Sequence, residues 1–253
     1  MADPHLEALR SSAARLRDLV ATMSEAELNR SAYPSEWSIA DVLSHIGSGA
    51  VIMHRRLDDV LAGLDTPDDF APGAWDAWNA KTPTAQRDDA LAADASLLAA
   101  MDSVTADERA AFSFDMGPLK LGFDAFVAMR LNEHAFHTWD IEVTVDPAAV
   151  IPEQVAALVV DNLELIARYT AKPTGGTATI TIATTRPPRG YTIALTPESV
   201  TLLPTPSVEA HADIELTAEA FARLVYGRLD PGHTSHNEEG PLLDELRRVF
   251  PGP

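Results

Sequence analysis

Arg130-Leu131-Asn132-Glu133-His134-Ala135-Phe136-His137-Thr138-Trp139-Asp140 is the stretch on which the reading of this chain turns. With Phe123, Phe126, Val127, Met129 and Ile141 around it, the segment is apolar on nearly every side. A helix of that kind is usually buried. Yet Arg130, Glu133, His137 and Asp140 recur at spacings of 3, 4 and 3, which aligns four ionisable side chains on one helix face. Buried charge is costly unless it is paired or binds a metal. Two readings follow. One is an ion-pair ladder, Arg130–Glu133 and His137–Asp140, that only sets helix register. The other is a divalent-metal site, because Glu133 and His137 point an oxygen and an imidazole nitrogen the same way one turn apart. The protease signature, a Glu between two His four apart, is absent: His134 and His137 are three apart and Glu133 lies outside them. A metal would need a third ligand from elsewhere.

Working back toward the N-terminus, Leu6, Leu9, Ala13, Leu16, Val20 and Met23 predict an amphipathic helix over about 4–29. Ser38 and Asp41 resemble a capping box, and a second helix follows to about Ala62. His45 faces inward on that helix. A lone inward His is more often a core residue, but it becomes a ligand candidate if it meets Glu133 and His137. Gly47 and Gly49 weaken the helix while allowing close approach to its backbone. Residues 63–82 read as a long irregular connection, with Trp75 and Trp78 as pocket lining or as packing over the end of a bundle. A third helix is expected over 84–103. Phe112–Phe114 with Met116-Gly117-Pro118 forms a loop or short extended piece, and the fourth helix runs to about Val145, where Asp146-Pro147 ends it. Four helices with one long crossover make a bundle, a common scaffold for metals held by facing helices.

After Pro147 the pattern changes. Pro152-Glu153 opens a helix through Val155 to Ile166. Strands are expected at 177–184, 191–195, 199–203 and 213–216, then helices over 217–228 and 240–250. That makes a small α+β domain. The expected division is 1–148 and 152–253. His233 and His236 lie in a Pro/Gly/Ser-rich loop with no helix to align them, and His5 and His211 are expected at the surface. No Gly-rich phosphate loop, nucleophile elbow or internal repeat is present.

Composition narrows the function. The 253 residues carry 19 Lys and Arg against 38 Asp and Glu, a net charge of −19. Nucleic acid and anionic membranes are poor partners for such a surface. No apolar run reaches 18 residues, and the N-terminus has no basic segment before an apolar core, so the expected compartment is the cytoplasm. The oligomeric state is not legible. The chain has no Cys. A protein thiol nucleophile and thiolate ligands are therefore excluded, and any thiol chemistry must use a small-molecule thiol.

Trp37-Ser38-Ile39-Ala40-Asp41-Val42-Leu43-Ser44-His45-Ile46, taken with Glu133-His134-Ala135-Phe136-His137-Thr138-Trp139-Asp140, resembles the two metal-binding segments of the mycothiol-dependent maleylpyruvate isomerase family. Ala212-Asp213-Ile214-Glu215-Leu216 and Leu224-Val225-Tyr226-Gly227-Arg228 resemble its C-terminal part, so the likeness covers essentially the whole chain. The resemblance implies an α+β protein of two domains: a DinB-like four-helix bundle, then a small α+β domain similar to sterol carrier proteins. It implies His45, Glu133 and His137 as ligands of zinc, mycothiol as cofactor, and Arg228 near the substrate. The implied chemistry is thiol activation for cis–trans isomerisation of, or S-transfer to, a small electrophile such as maleylpyruvate, with Arg228 holding a carboxylate. Asp140 or Asp41 would orient a ligand imidazole. A metal-dependent hydrolase, with water in place of the thiol, and a non-catalytic ligand-binding member are the competing readings.

Overall fold

Asp3 starts the first helix, α1 (Pro4–Val20): its carboxylate accepts from the backbone N–H groups of His5 and Leu6, and Pro4 sits where no N–H is needed. The computed structural model describes residues 3–33, 36–117, 119–205, 212–234 and 240–252. The chain divides into two compact units, 1–149 and 150–253.

The first unit continues with α2 (Glu25–Leu28), α3 (Ile39–Ala62), α4 (Phe70–Asn79), α5 (Pro83–Ser103), α6 (Ala106–Ala111), the hairpin β1 (Phe114–Met116) and β2 (Leu119–Leu121), and α7 (Phe123–Glu142). The expected first helix over 4–29 is in fact two. Ser24 and Glu27 form a capping box that starts α2 afresh, with the Ser24 N–H donating to Glu27 Oε2 at 2.7 Å. The connection expected over 63–82 contains α4. Pro72 and Gly73 do not prevent it, because Pro72 falls in the first turn, where backbone donors have no helical acceptor.

Four long helices, α1, α3, α5 and α7, enclose the core of this unit, with α3 against α5 and α7, and α1 against α5 and α7. Their directions follow from paired residues. Ser12 faces His134 and Arg15 faces Glu142, so α1 and α7 run the same way. Gly47 lies against Ala90 and His54 against Ser96, so α3 and α5 also run together. The two pairs are antiparallel, since Arg10 meets Asp102 and Arg87 donates to the Met23 carbonyl. Leu16, Val20, Ile39, Val42, Leu43, Ile46, Trp78 and Ile141 form one buried cluster. Gly47 shows why a helix keeps a glycine there: a Cβ would lie 2.2 Å from the Trp78 ring. Trp78 is thus packing, while Trp75 is half exposed.

The second unit opens with α8 (Glu153–Val159) and α9 (Leu163–Thr170), separated by a 3-10 turn at Val160–Asn162 where one helix was expected. Strands β3 (Ala178–Thr185), β4 (Arg189–Leu195), β5 (Val200–Thr205) and β6 (Ile214–Thr217) form a sheet in the order β5-β4-β3-β6, antiparallel except for β3 with β6. Helices α10 (Ala218–Val225) and α11 (Pro241–Val249) complete it. Ile180, Ile182, Tyr191 and Ile193 alternate along β3 and β4 to bury one sheet face. The Tyr191 hydroxyl donates to the Val160 carbonyl at 2.7 Å, which ties the sheet to the helical turn; burial pushes that phenol up to about 12. The protein is therefore an α+β chain of two parts, helical first and with a small sheet second.

Candidate metal centre

Helix α3 carries His45 and α7 carries Glu133 and His137. Their ligand atoms all lie within 4.8 Å of one another. His45 Nε2 is 3.2 Å and His137 Nε2 is 3.6 Å from Glu133 Oε2. Zinc bonds of about 2.0–2.1 Å at tetrahedral angles place neighbouring ligand atoms about 3.3 Å apart, so this donor set fits a zinc ion without rearrangement of the helices. Three protein ligands leave a fourth position open, the arrangement of a catalytic rather than a structural site. The side chains of Glu133 and His45 are 49% and 37% exposed and that of His137 is 13% exposed, so the site is closed from the core side and open toward solvent. Partial desolvation raises the Glu133 carboxyl, but hydrogen bonds and charge from His137 and His45 outweigh this and hold it well below the usual carboxylate range.

The His137 ring is oriented from behind. Its Nδ1 lies 2.8 Å from Oδ2 of Asp140, which is fully buried. A carboxylate only accepts, so Nδ1–H donates and Nε2 keeps its lone pair for the site. Asp140 thus has the orienting position. Asp41 does not: it caps α3, accepting from the Ser38 N–H at 2.9 Å and the Ser38 hydroxyl at 2.6 Å.

Trp37 covers one side of the imidazoles. Its ring lies 5.5 Å from that of His45 and 6.0 Å from that of His137, the latter at an interplanar angle of 20°. The chain brings it there by closing a small loop. Ala32 N–H donates to the Trp37 carbonyl, Ile39 N–H donates to the Arg30 carbonyl, and Ser31 bridges Ser38. Tyr33 fastens that loop to α7: its N–H donates to the Asp140 carbonyl at 3.0 Å and its ring meets the Trp139 edge at 4.9 Å.

The expected line of four charges splits in two. Arg130 turns from Glu133 to pair with Asp94 of α5 at 2.6 Å. His134, fully buried, places Nε2 2.9 Å from Asp94 and Nδ1 2.8 Å from the Ser12 hydroxyl, with no part in the metal cluster. Asp94 and Trp37 were not singled out as functional residues from sequence. The signal for Asp94 was present: Ala90, Asp94, Leu97 and Met101 form a buried stripe at spacings of 4, 3 and 4. An acid within such a stripe requires a buried cation.

Elsewhere, His233 pairs with Asp230 at 2.7 Å, and His5 is half-buried beside Asp3 rather than on the surface. His211 and His236 lie outside the described residues. Arg228, in the second unit, is buried and donates to the Tyr226 carbonyl at 2.9 Å. Gly227 sets its place. It takes φ +68° and packs so tightly on Gly252 that a Cβ would lie 2.0 Å from the Gly252 Cα. Among the described residues, no helix is long and apolar enough to cross a membrane.

The chain matches the crystal structure of the mycothiol-dependent maleylpyruvate isomerase at a TM-score of 0.67 and 15% identity, over 94% of this chain and 93% of that one. A histidine-to-alanine mutant of that isomerase matches at the same TM-score with 14% identity and the same coverage. At such identity the likeness establishes the fold. No curated protein sequence matches the chain. Residues 9–142, just over half of the chain and including all three candidate ligands, match the profile of the mycothiol maleylpyruvate isomerase N-terminal domain, and the chain belongs to that family.

Proposed function

We propose that this chain binds zinc through His45, Glu133 and His137 and activates the thiol of mycothiol toward a small electrophile such as maleylpyruvate, by cis–trans isomerisation or by S-transfer. The observation that carries the reading is the convergence of these three ligand atoms within 4.8 Å in a member of this family. When bound, zinc supplies a Lewis acid that makes the thiolate the stable form of a coordinated thiol. The chain's own residues favour that use. Two neutral imidazoles and one carboxylate bring a charge of about −1 to a divalent cation, so the assembled centre keeps a net positive charge that suits an anion. Asp140 holds His137 with Nε2 toward the site. The absence of Cys leaves the thiol to a small molecule.

In this reading residues 1–148 are a DinB-like four-helix bundle, with α1, α3, α5 and α7 as its members, and residues 152–253 are the small α+β domain. Arg228 serves as the residue that pairs with a substrate carboxylate through its planar fork. Replacing it with Ala is expected to lower kcat/KM ten- to a hundredfold, about 1.5–3 kcal/mol, with zinc content unchanged.

The deciding experiment measures turnover of maleylpyruvate and other electrophiles with mycothiol present and absent, before and after chelation. Loss of activity in both omissions supports the reading. Equal rates without the thiol would replace it with a metal-dependent hydrolase. Zinc retained without turnover of any electrophile would leave a ligand-binding member of the family.

A further inference from the structure

A buried guanidinium links the ligand helix α7 to α3. Arg130 lies one turn before Glu133 and is 2% exposed. Its Nη2 donates to Asp94 at 2.6 Å and to the carbonyl of Ile46 at 2.9 Å, and Ile46 directly follows His45. On α3 the guanidinium lies against Gly49, where an added Cβ would come 3.0 Å from Nη1. The far end of the strut is also fixed. Asp94 accepts from Arg130 through one oxygen and meets His134 through the other, and His134 is held in turn by Ser12 of α1. All four long helices are tied together in the layer directly beneath the ligands.

Stability alone explains this arrangement poorly. A hydrocarbon side chain of similar volume would join α3 to α7 without desolvating two charges. Among the described residues, Arg130 Nε is also buried with no hydrogen-bond partner. What the guanidinium provides, and a hydrocarbon does not, is a directional contact that fixes both the spacing and the register of His45 against Glu133 and His137.

We propose that Arg130, anchored by Asp94, is the positioning residue of the metal centre. This rests on His45, Glu133 and His137 binding zinc. The test is zinc affinity of the full-length apo-protein, measured by competition with a chromophoric chelator, beside circular dichroism and urea unfolding. Gly49→Ala is the sharpest variant. It removes no charge and improves helix propensity, so a purely structural role for Arg130 shows only in the urea midpoint and leaves the affinity of the folded protein intact. If Arg130 positions the site, the added Cβ displaces the guanidinium and the affinity of the still folded protein falls roughly tenfold. Arg130→Lys keeps the charge but not the fork, and is expected to weaken zinc by about ten- to a hundredfold. Wild-type affinity in a folded Gly49→Ala overturns the proposal, whether or not Arg130→Lys folds, as does an affinity loss that appears only with loss of fold. A wild-type chain that takes up no zinc defeats the metal reading itself and this proposal with it. Failure of the positioning role alone shows as tight wild-type binding that Gly49→Ala leaves untouched.

Discussion

Glu133 and His134 are consecutive residues that belong to two histidine–carboxylate clusters of opposite character. In one, His45, Glu133 and His137 turn their ligand atoms toward one point, and two of the three side chains are more than a third exposed. In the other, Asp94, Arg130 and His134 are sealed at 6% exposure or less. Residue type does not separate them. What does is where each lone pair is used. Both nitrogens of His134 already face protein partners, Ser12 and Asp94. In His137 one nitrogen is given to Asp140 and the other is directed to the shared point. A site that can hold a metal thus needs its second partners on one side only, and a strut needs them on all sides.

The comparison breaks most sharply on ligand removal. His137→Ala is expected to reduce zinc binding below detection while helicity stays at the wild-type level, as read by metal analysis and circular dichroism, because the surrounding core is aliphatic and aromatic. Asp94→Ala is expected to strike the fold as well as the site that Arg130 positions. It leaves Arg130 buried without a counter-ion, and urea unfolding should report a loss of about 3–5 kcal/mol. If Asp94→Ala instead kept full stability, the sealed cluster would not be the structural member of the pair.

How much of this was legible follows the same division. The apolar spacing around Leu16, Ile39 and Ile141 was readable, as was the strand alternation around Ile180 and Ile182, because burial leaves a period. Ser38 and Asp41 announced the start of α3 through capping chemistry. The new start at Ser24 was missed because the apolar spacing continues through Met23 across the break. Helix α4 was missed because Pro72 and Gly73 read as breakers, and only position in the first turn makes the proline harmless. At the site, spacing aligned Glu133 with His137, but spacing on one helix cannot show that Arg130 turns toward α5. That depends on Asp94, 36 residues away. Trp37 was invisible as a site residue because a loop closure, not a periodicity, places it.

Acid sharpens the comparison further. Burial alone would raise the Asp94 carboxyl, but His134 and Arg130 outweigh it and hold it lowered to about 2, against an ordinary 3.8. A carboxylate depressed by folding stabilises the native state above its unfolded value, and that contribution is lost as pH falls through the folded one. The window therefore runs from about pH 4 down to about pH 2 and is worth roughly 2 kcal/mol. Urea midpoints measured across it should fall for the wild type and fall less steeply for Asp94→Asn. Parallel slopes would mean that the sealed pair does not contribute to acid unfolding.

The smallest effect belongs to the residue that touches the open cluster without binding in it. Trp37 contributes ring contact to His45 and His137, and its loop is closed by backbone hydrogen bonds that any residue at 37 can make. Trp37→Ala should therefore keep the loop and lose only the contact. Aromatic pairs of this kind are worth about 0.5–1.5 kcal/mol, so zinc affinity should fall by roughly two- to tenfold, and Trp37→Phe should recover part of the loss. Zinc titration with tryptophan fluorescence gives a second reading, since the indole lies directly against two ligand rings: the signal change on metal binding should vanish in Trp37→Phe. Were Trp37→Ala as damaging as His137→Ala, the open cluster would depend on its cover as the sealed one depends on Asp94. Were it silent, the hydrogen bond from His137 to Asp140 would be enough to hold the ring.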